Sequence, residues 1–237
     1  MDINIIQTKV LKKIEKSLQS GNIANAYIFH GKPGSGKEAI VFEFVKKITS
    51  LEKEEFLRNG NIFFLSPGKK EFFQKLFKSK SLDSNEYHTW SNFLRGKIYN
   101  NFEIQFLDES KNIPVEAIKN LKDNLYFKSS KRKVVIIFNA EYLSFGSAES
   151  ANMLLKVIEE PPANTTFILI ADSLNKVKDT IQSRCQKISI PIIDDDAFLD
   201  IAKTNKNFSS NFLNFITGKN LHDLKKFDLY NEDHVLN

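Results

Sequence analysis

A chain of 237 residues with 41% hydrophobic and 27% charged residues can build one large α/β domain, alone or with a small satellite, and is too apolar for pervasive disorder. Its net charge of +5 permits contact with nucleic acid without demanding it, because a modest excess of lysine also serves solubility. A single cysteine, Cys185, excludes a disulfide framework and a cysteine-rich zinc site. No apolar run approaches the ~18 residues of a membrane span, so a cytoplasmic protein without membrane contact is expected.

The N-terminal stretch "MDINIIQTKVLKKIEK" lacks the basic-then-apolar order of a signal peptide. It reads as a helix, with Ile6, Val10, Ile14 and Leu18 recurring at helical spacing and Gly21 ending it. "AYIFHG" is a short apolar strand entering a glycine loop, and "KEAIVFEFVKKI" is a helix with Ile40, Phe44 and Ile48 on one face. Residues 51–110 hold one extended piece, "NIFFLSP", among patches of lysine and phenylalanine with weak periodicity. They are expected to form an insertion or lateral extension of unassigned structure.

From residue 113 the periodicity strengthens. "IPVEAIKNLKDNLYF" puts Ile118, Leu121 and Leu125 on one helical stripe, "SSKRK" is a polar turn, and "VVIIF" (134–138) is a strand suited to cover on both faces. "SAESANMLLKVIEE" is a helix with Ala151, Leu154, Leu155 and Ile158 inward, ended by Pro161 and Pro162. "TTFILIA" is a second buried strand, "KDTIQSRC" a short helix or turn, and "KISI" a last strand. Strands alternating with helices predict an α/β fold with a mostly parallel sheet flanked by helices. Past Pro191, "DDDAFLDIAK", "SSNFLNFITG" and "NLHDLKKFDLY" predict three short amphipathic helices, a small second domain over 191–237.

The segment "GKPGSGKE" (31–38) follows a strand and opens a helix, the setting of a phosphate-binding loop. Gly31, Gly34, Gly36 and Lys37 are the candidate nucleotide-binding residues, since such a loop turns backbone N–H groups and the positive helix end toward phosphates. Where the pattern asks for a Ser or Thr hydroxyl to hold Mg²⁺, the chain has Glu38. That carboxylate suits the first turn of a helix, and it could pair with Lys37 and fill the anion site from within. At the end of "VVIIF", where a P-loop ATPase has an Asp for the metal and often a Glu for water, the residues are Phe138 and Asn139. Glu141 comes two residues later and is expected at the surface. No metal site is expected, no cofactor is required, and passive ATP or ADP binding stays open.

"ANMLLKVIEEPP" (151–162) and "TIQSRC" (180–185), separated by one buried strand, resemble the clamp-loader branch of the AAA+ proteins. The resemblance runs over roughly residues 20–190, takes in "GNIFFLSPGK", "KVVIIFNAEYL" and Lys176, and is strongest toward delta prime subunits of bacterial DNA polymerase III. It implies an AAA+ domain over 1–190 and a helical lid over 191–237. It also implies that Arg184, in "SRC", acts as an arginine finger in trans on a neighbouring subunit's ATP, where a guanidinium stabilises developing phosphate charge. The bland alternative for Arg184 is a surface ion pair, and Cys185 reads as packing. Three departures stand out: one cysteine cannot build the family's zinc module, so 51–110 must be held another way; Leu221 aligns with the lid arginine that senses nucleotide; and a chain ending at Asn237 leaves no room for the family's collar domain.

The reading the resemblance implies is a non-hydrolysing clamp-loader subunit of a DNA polymerase III holoenzyme, itself without catalysis. Its partners would be gamma/tau-type and delta subunits, a sliding clamp through the assembled complex, and primed DNA bound non-specifically. "SSKRK" and the lysines around 69–80 are candidate phosphate contacts. Two alternatives compete with it: an active ATPase motor of the gamma/tau type, favoured by Lys37 and the glycines, and a small-molecule P-loop kinase, which would need a working metal site.

Overall fold

The computed structural model describes residues 7–19, 21, 23–77, 82–99, 107–127, 129–145, 148–203 and 209–228. Helix α1 (Thr8–Gln19) packs Val10, Leu11 and Ile14 into the core, and Gly21 follows with φ 76°. Ile6 lies outside the described residues. Strand β1 (Ala26–His30) leads through the glycine loop into α2 (Lys37–Thr49). Then come α3 (Lys53–Phe56), β2 (Ile62–Leu65), α4 (Lys70–Phe77), α5 (Ser84–Tyr99), α6 (Val115–Leu125) and β3 (Lys133–Ile137). A 3-10 turn (Ala140–Ser144) precedes α7 (Glu149–Glu159), which is followed by β4 (Thr165–Ala171), α8 (Asp179–Gln182) and β5 (Gln186–Ser189). The chain then forms α9 (Asp195–Ala202), α10 (Ser210–Thr217) and α11 (Leu221–Asp228).

The strands form one parallel sheet in the order β2-β3-β4-β1-β5. β3 and β4 are buried along their whole length, which is why their sequences are continuous apolar runs without alternation. β1, which feeds the glycine loop, lies beside β4, with His30 opposite Ala171. β3 pairs β4 on its other side, with Ile137 opposite Leu169. The carboxyl ends of β1, β4 and β3 therefore converge, and crevices at such points are where open α/β sheets bind ligands. Among the described residues no helix is long and apolar enough to cross a membrane.

Residues 51–110, opaque to periodicity, contribute edge strand β2 and helices α3, α4 and α5. Aromatic packing holds them. Phe73 is fully buried, with ring centroids 5.2 Å from Phe72 and 6.3 Å from Trp90, and Trp90 stacks on Phe93 at 5.4 Å. Phe93 meets Phe138, at the end of β3, edge-on at 5.8 Å. Such contacts add to the apolar burial and hold the described part of this segment against the sheet. α2 buries more than the expected Ile40, Phe44 and Ile48 stripe: Val41, Phe42 and Val45 are buried as well, Ile48 is only partly buried, and Phe42 meets Phe56 of the insertion with ring centroids 6.1 Å apart.

Several lysines expected to meet phosphates have other partners. Lys70 pairs with Glu116 and Lys75 with Glu86, each at 2.6 Å, while residues 78–80 lie outside the described residues. Lys133, in "SSKRK", is buried and donates to the Leu125 and Phe127 carbonyl oxygens at the end of α6, so it closes that helix and offers nothing to DNA. Because the Phe73 ring is fully buried, Phe73→Ala is expected to cost ~3–5 kcal/mol of unfolding free energy in urea denaturation. A loss below ~1 kcal/mol would mean that the aromatic cluster does not anchor this segment.

Candidate functional site

The glycine loop forms as the spacing predicts. Gly34 and Gly36 have φ 76° and 79°, values open to glycine and strained for other residues, and Gly36 is the N-cap of α2. Gly31 donates its N–H to the Ala171 carbonyl at 3.2 Å, which ties the loop to the end of β4. The next segment of chain also closes on the loop. Leu221 donates its N–H to the Gly34 carbonyl at 3.2 Å, and a Cβ on Gly34 would lie 1.7 Å from Asn220 Oδ1. Asn220 is held there as the N-cap of α11, accepting from His222 N–H at 2.9 Å. Leu221 itself is buried, so its position offers packing in place of a guanidinium.

Lys37 is buried and its ammonium is 2.5 Å from Asp172 Oδ1. Asp172 follows β4 directly, and the pairing of His30 with Ala171 sets it beside the start of the loop. Glu141, expected at the surface, is instead half-buried beside this pair. Asn139 adopts φ 51° and starts the 3-10 turn that carries Glu141 back toward the loop, a backbone conformation that Asn tolerates better than most residues. Burial raises the proton affinity of the Glu141 carboxyl, and the Asp172 charge raises it further. Hydrogen bonds from the Glu141 and Asp172 amides and the Lys37 charge oppose the shift. One Glu141 oxygen is buried without a partner.

Glu38 does not reach back to Lys37. Its Oε1 accepts a hydrogen bond of 2.8 Å from Lys97 Nζ, contributed by α5. The two side chains are 3% and 13% exposed for Lys97 and Glu38, respectively. The same ammonium lies 5.4 Å from the Phe138 ring centroid and 5.7 Å from that of Phe93, within cation–π range. In P-loop enzymes, magnesium sits between the residue after the loop lysine and an Asp at the end of the β3-equivalent strand. Here those positions are Glu38 and Phe138, and the Lys97 ammonium bridges them. The residues present do not fit a magnesium-bound nucleotide: a phenyl ring cannot ligate a cation, and the carboxylate that could is already neutralised.

Arg184 stands away from this cluster. Its Nη2 is 2.5 Å from Glu159 Oε1 at the end of α7, with both side chains about two-fifths exposed (41% and 40%), and its Nη1 donates to the Thr180 carbonyl at 3.2 Å. An exposed pair of this kind contributes ~0–1 kcal/mol, so the guanidinium can exchange Glu159 for another anion at small cost. Cys185 is buried, and burial pushes its thiol up to about 11, as suits a packing residue. Sequence reasoning located the glycine loop, and of its two readings of Arg184, a finger or a surface ion pair, the pair with Glu159 is the contact the structure contains. The same reasoning missed Asp172, which the rule that strand ends line the site would have flagged, and Lys97, for which the sequence carries no signal.

Residues 68–194, more than half of the chain, match the family described as DNA polymerase III, delta subunit. The chain is 27% identical over 218 residues to DNA polymerase III subunit gamma of Buchnera aphidicola subsp. Schizaphis graminum, covering 89% of this chain and 52% of that protein. It is 28% identical over 189 residues to DNA polymerase III subunit delta' of Bacillus subtilis, covering 79% of this chain and 48% of that protein. The chain thus spans about half the length of these relatives. A gamma subunit-related protein of Thermotoga maritima superposes with a TM-score of 0.57 at 17% identity, covering 96% of this chain and 59% of that one, so the two chains share this α/β fold.

Two outcomes test the site. Lys97→Met leaves the Glu38 carboxylate buried without its counter-ion and is expected to cost ~3–5 kcal/mol in urea denaturation, most of it restored by adding Glu38→Gln. A double variant no more stable than the single would mean that the pair is not the source of the loss. Folding raises the Glu141 carboxyl above its ordinary value near 4.5, so its contribution to stability is intact below that value and lost as pH rises through the folded one. Glu141→Gln is therefore expected to raise Tm at neutral pH and to leave it unchanged below about pH 4, where wild-type Glu141 is protonated in both states.

Proposed function

Since the chain belongs to the clamp-loader family of AAA+ proteins, by its match to the DNA polymerase III, delta subunit family, we propose that it is a non-hydrolysing clamp-loader subunit that lends Arg184 to ATP on a neighbouring subunit. The observation that carries this reading is the Lys97 bridge between Glu38 and Phe138, the two positions that magnesium would need. Without a metal to spread charge from the phosphoryl oxygens, and with Asn139 where an activating carboxylate would stand, this chain's own loop has no route to hydrolysis.

Arg184 supplies what the site lacks, but outward. Its Glu159 pair is half-exposed and weakly held, and a guanidinium offers the planar fork that fits phosphate oxygens. Set against the γ-phosphate of an adjacent gamma/tau-type subunit, it would stabilise charge that appears only in the transition state. In the assembly this reading describes, gamma/tau-type and delta subunits flank the chain, and the complex opens a sliding clamp and sets it on primed DNA. Contact with that DNA would be through the phosphate backbone and would weaken steeply with salt.

The second reading, a motor of the gamma/tau type, draws on the gamma relative and on the retained Lys37 and loop glycines. Two measurements separate them. Arg184→Ala is expected to leave assembly unchanged by size-exclusion chromatography and to lower DNA-stimulated ATP hydrolysis by the assembled loader, with a loss of ~10³-fold at the one site it faces. Unchanged turnover would refute the finger. Hydrolysis by the isolated chain that disappears in Lys37→Ala would establish the motor reading instead.

A further inference from the structure

A loop with free amides, a lysine and a helix N-terminus is an anion site unless something cancels its charge. Here two elements do so. The Asp172 carboxylate, 2.5 Å from Lys37 Nζ, stands at the lysine where a ligand phosphate would otherwise be. Glu141 adds a second carboxylate to the same corner, where it accepts from the Asp172 amide. The Asp172 carboxylate already neutralises Lys37, so an entering polyphosphate meets a like charge at the residue that should attract it. On the metal side, the charge is inverted: Lys97 brings a fixed positive group to Glu38 and to the face of Phe138. The loop itself is otherwise intact. Its glycines keep their left-handed turns, and Ser35 keeps a buried hydroxyl with no partner.

We propose that this phosphate loop is closed by the chain's own charges, with the Asp172 carboxylate on Lys37 in place of a ligand phosphate and the Lys97 ammonium on Glu38 in place of the divalent cation. A nucleoside polyphosphate then enters only when Asp172 leaves Lys37, and it enters without magnesium, because the cation position is already filled. The proposal deepens the reading of this loop as non-hydrolysing and rests on it, but it does not involve Arg184. The position of Asp172 favours such a latch over a permanent strut: the residue follows a fixed strand, yet its side chain is 37% exposed and can turn away without disturbing the core.

The test is titration of ATP into the full chain by calorimetry, once with Mg²⁺ and once with EDTA, for the wild type and for Asp172→Asn. Wild type is expected to be silent at millimolar ATP. Asp172→Asn is expected to gain ~100-fold or more in affinity, the scale set by taking one like charge from beside a bound anion. The gained affinity should be the same in Mg²⁺ and EDTA to within ~3-fold, and Lys37→Ala on the Asp172→Asn background should abolish it. Wild-type binding as tight as that of the variant overturns the latch. So does an Asp172→Asn chain that keeps the wild-type Tm and stays silent. Binding by the variant that EDTA removes overturns the resident cation, and binding that survives Lys37→Ala overturns the assignment to this loop. Because the isolated chain is used and Arg184 is untouched, any of these failures leaves the finger role to be decided in the assembled complex.

Discussion

An ammonium group that is 3% exposed stays charged only where the fold supplies it with partners, and Lys97 has one carboxylate and two phenyl faces. That single buried cation ties three parts of the molecule together. It comes from α5 in the insertion, it neutralises the first turn of α2, and it lies against the ring that ends β3. The insertion could not pack as it does without Phe138, and Phe138 could not be an Asp without placing a second carboxylate beside Glu38. The identity of the residue that ends β3 and the packing of α5 against the sheet are therefore coupled through one ring.

The rest of the pocket follows the same logic of internal neutralisation. Lys37 faces Asp172, and the chain after β5 returns so that Asn220 and Leu221 close on Gly34 directly. Backbone and side chain thereby join the loop to the start of α11. The Lys97–Glu38 pair, buried on both sides, resists change, because removing either partner leaves the other stranded in a low dielectric, whereas Asp172 is exposed enough to turn away from Lys37. Arg184 is the opposite case. It sits at the surface, in a pair that water and salt weaken, and it is available to anything more strongly anionic than Glu159.

The sequence alone determined the parallel α/β architecture, because β3 and β4 are buried on both faces and so lose all alternation, and because helix stripes such as Ile118, Leu121 and Leu125 point to one core. It also determined the glycine loop and that Glu38 and Phe138 stand after the loop lysine and at the end of β3, since each depends on residues adjacent in the chain. Residues 51–110 were illegible for a physical reason: their stability comes from rings that meet across long separations, as Phe73 meets Trp90 and Phe93 meets Phe138, and such contacts leave no local period. Glu141 was misjudged because one left-handed residue, Asn139, reverses the chain, and a count along a straight strand carries it away from the site. The tertiary structure by itself decided the partners of the charges. Glu38 lies next to Lys37 in sequence and pairs with Lys97, 59 residues away, while Lys37 pairs with Asp172 from a strand that the sheet order brings alongside β1. Pairing is set by distance in space and by desolvation, and neither quantity is written in the order of the residues.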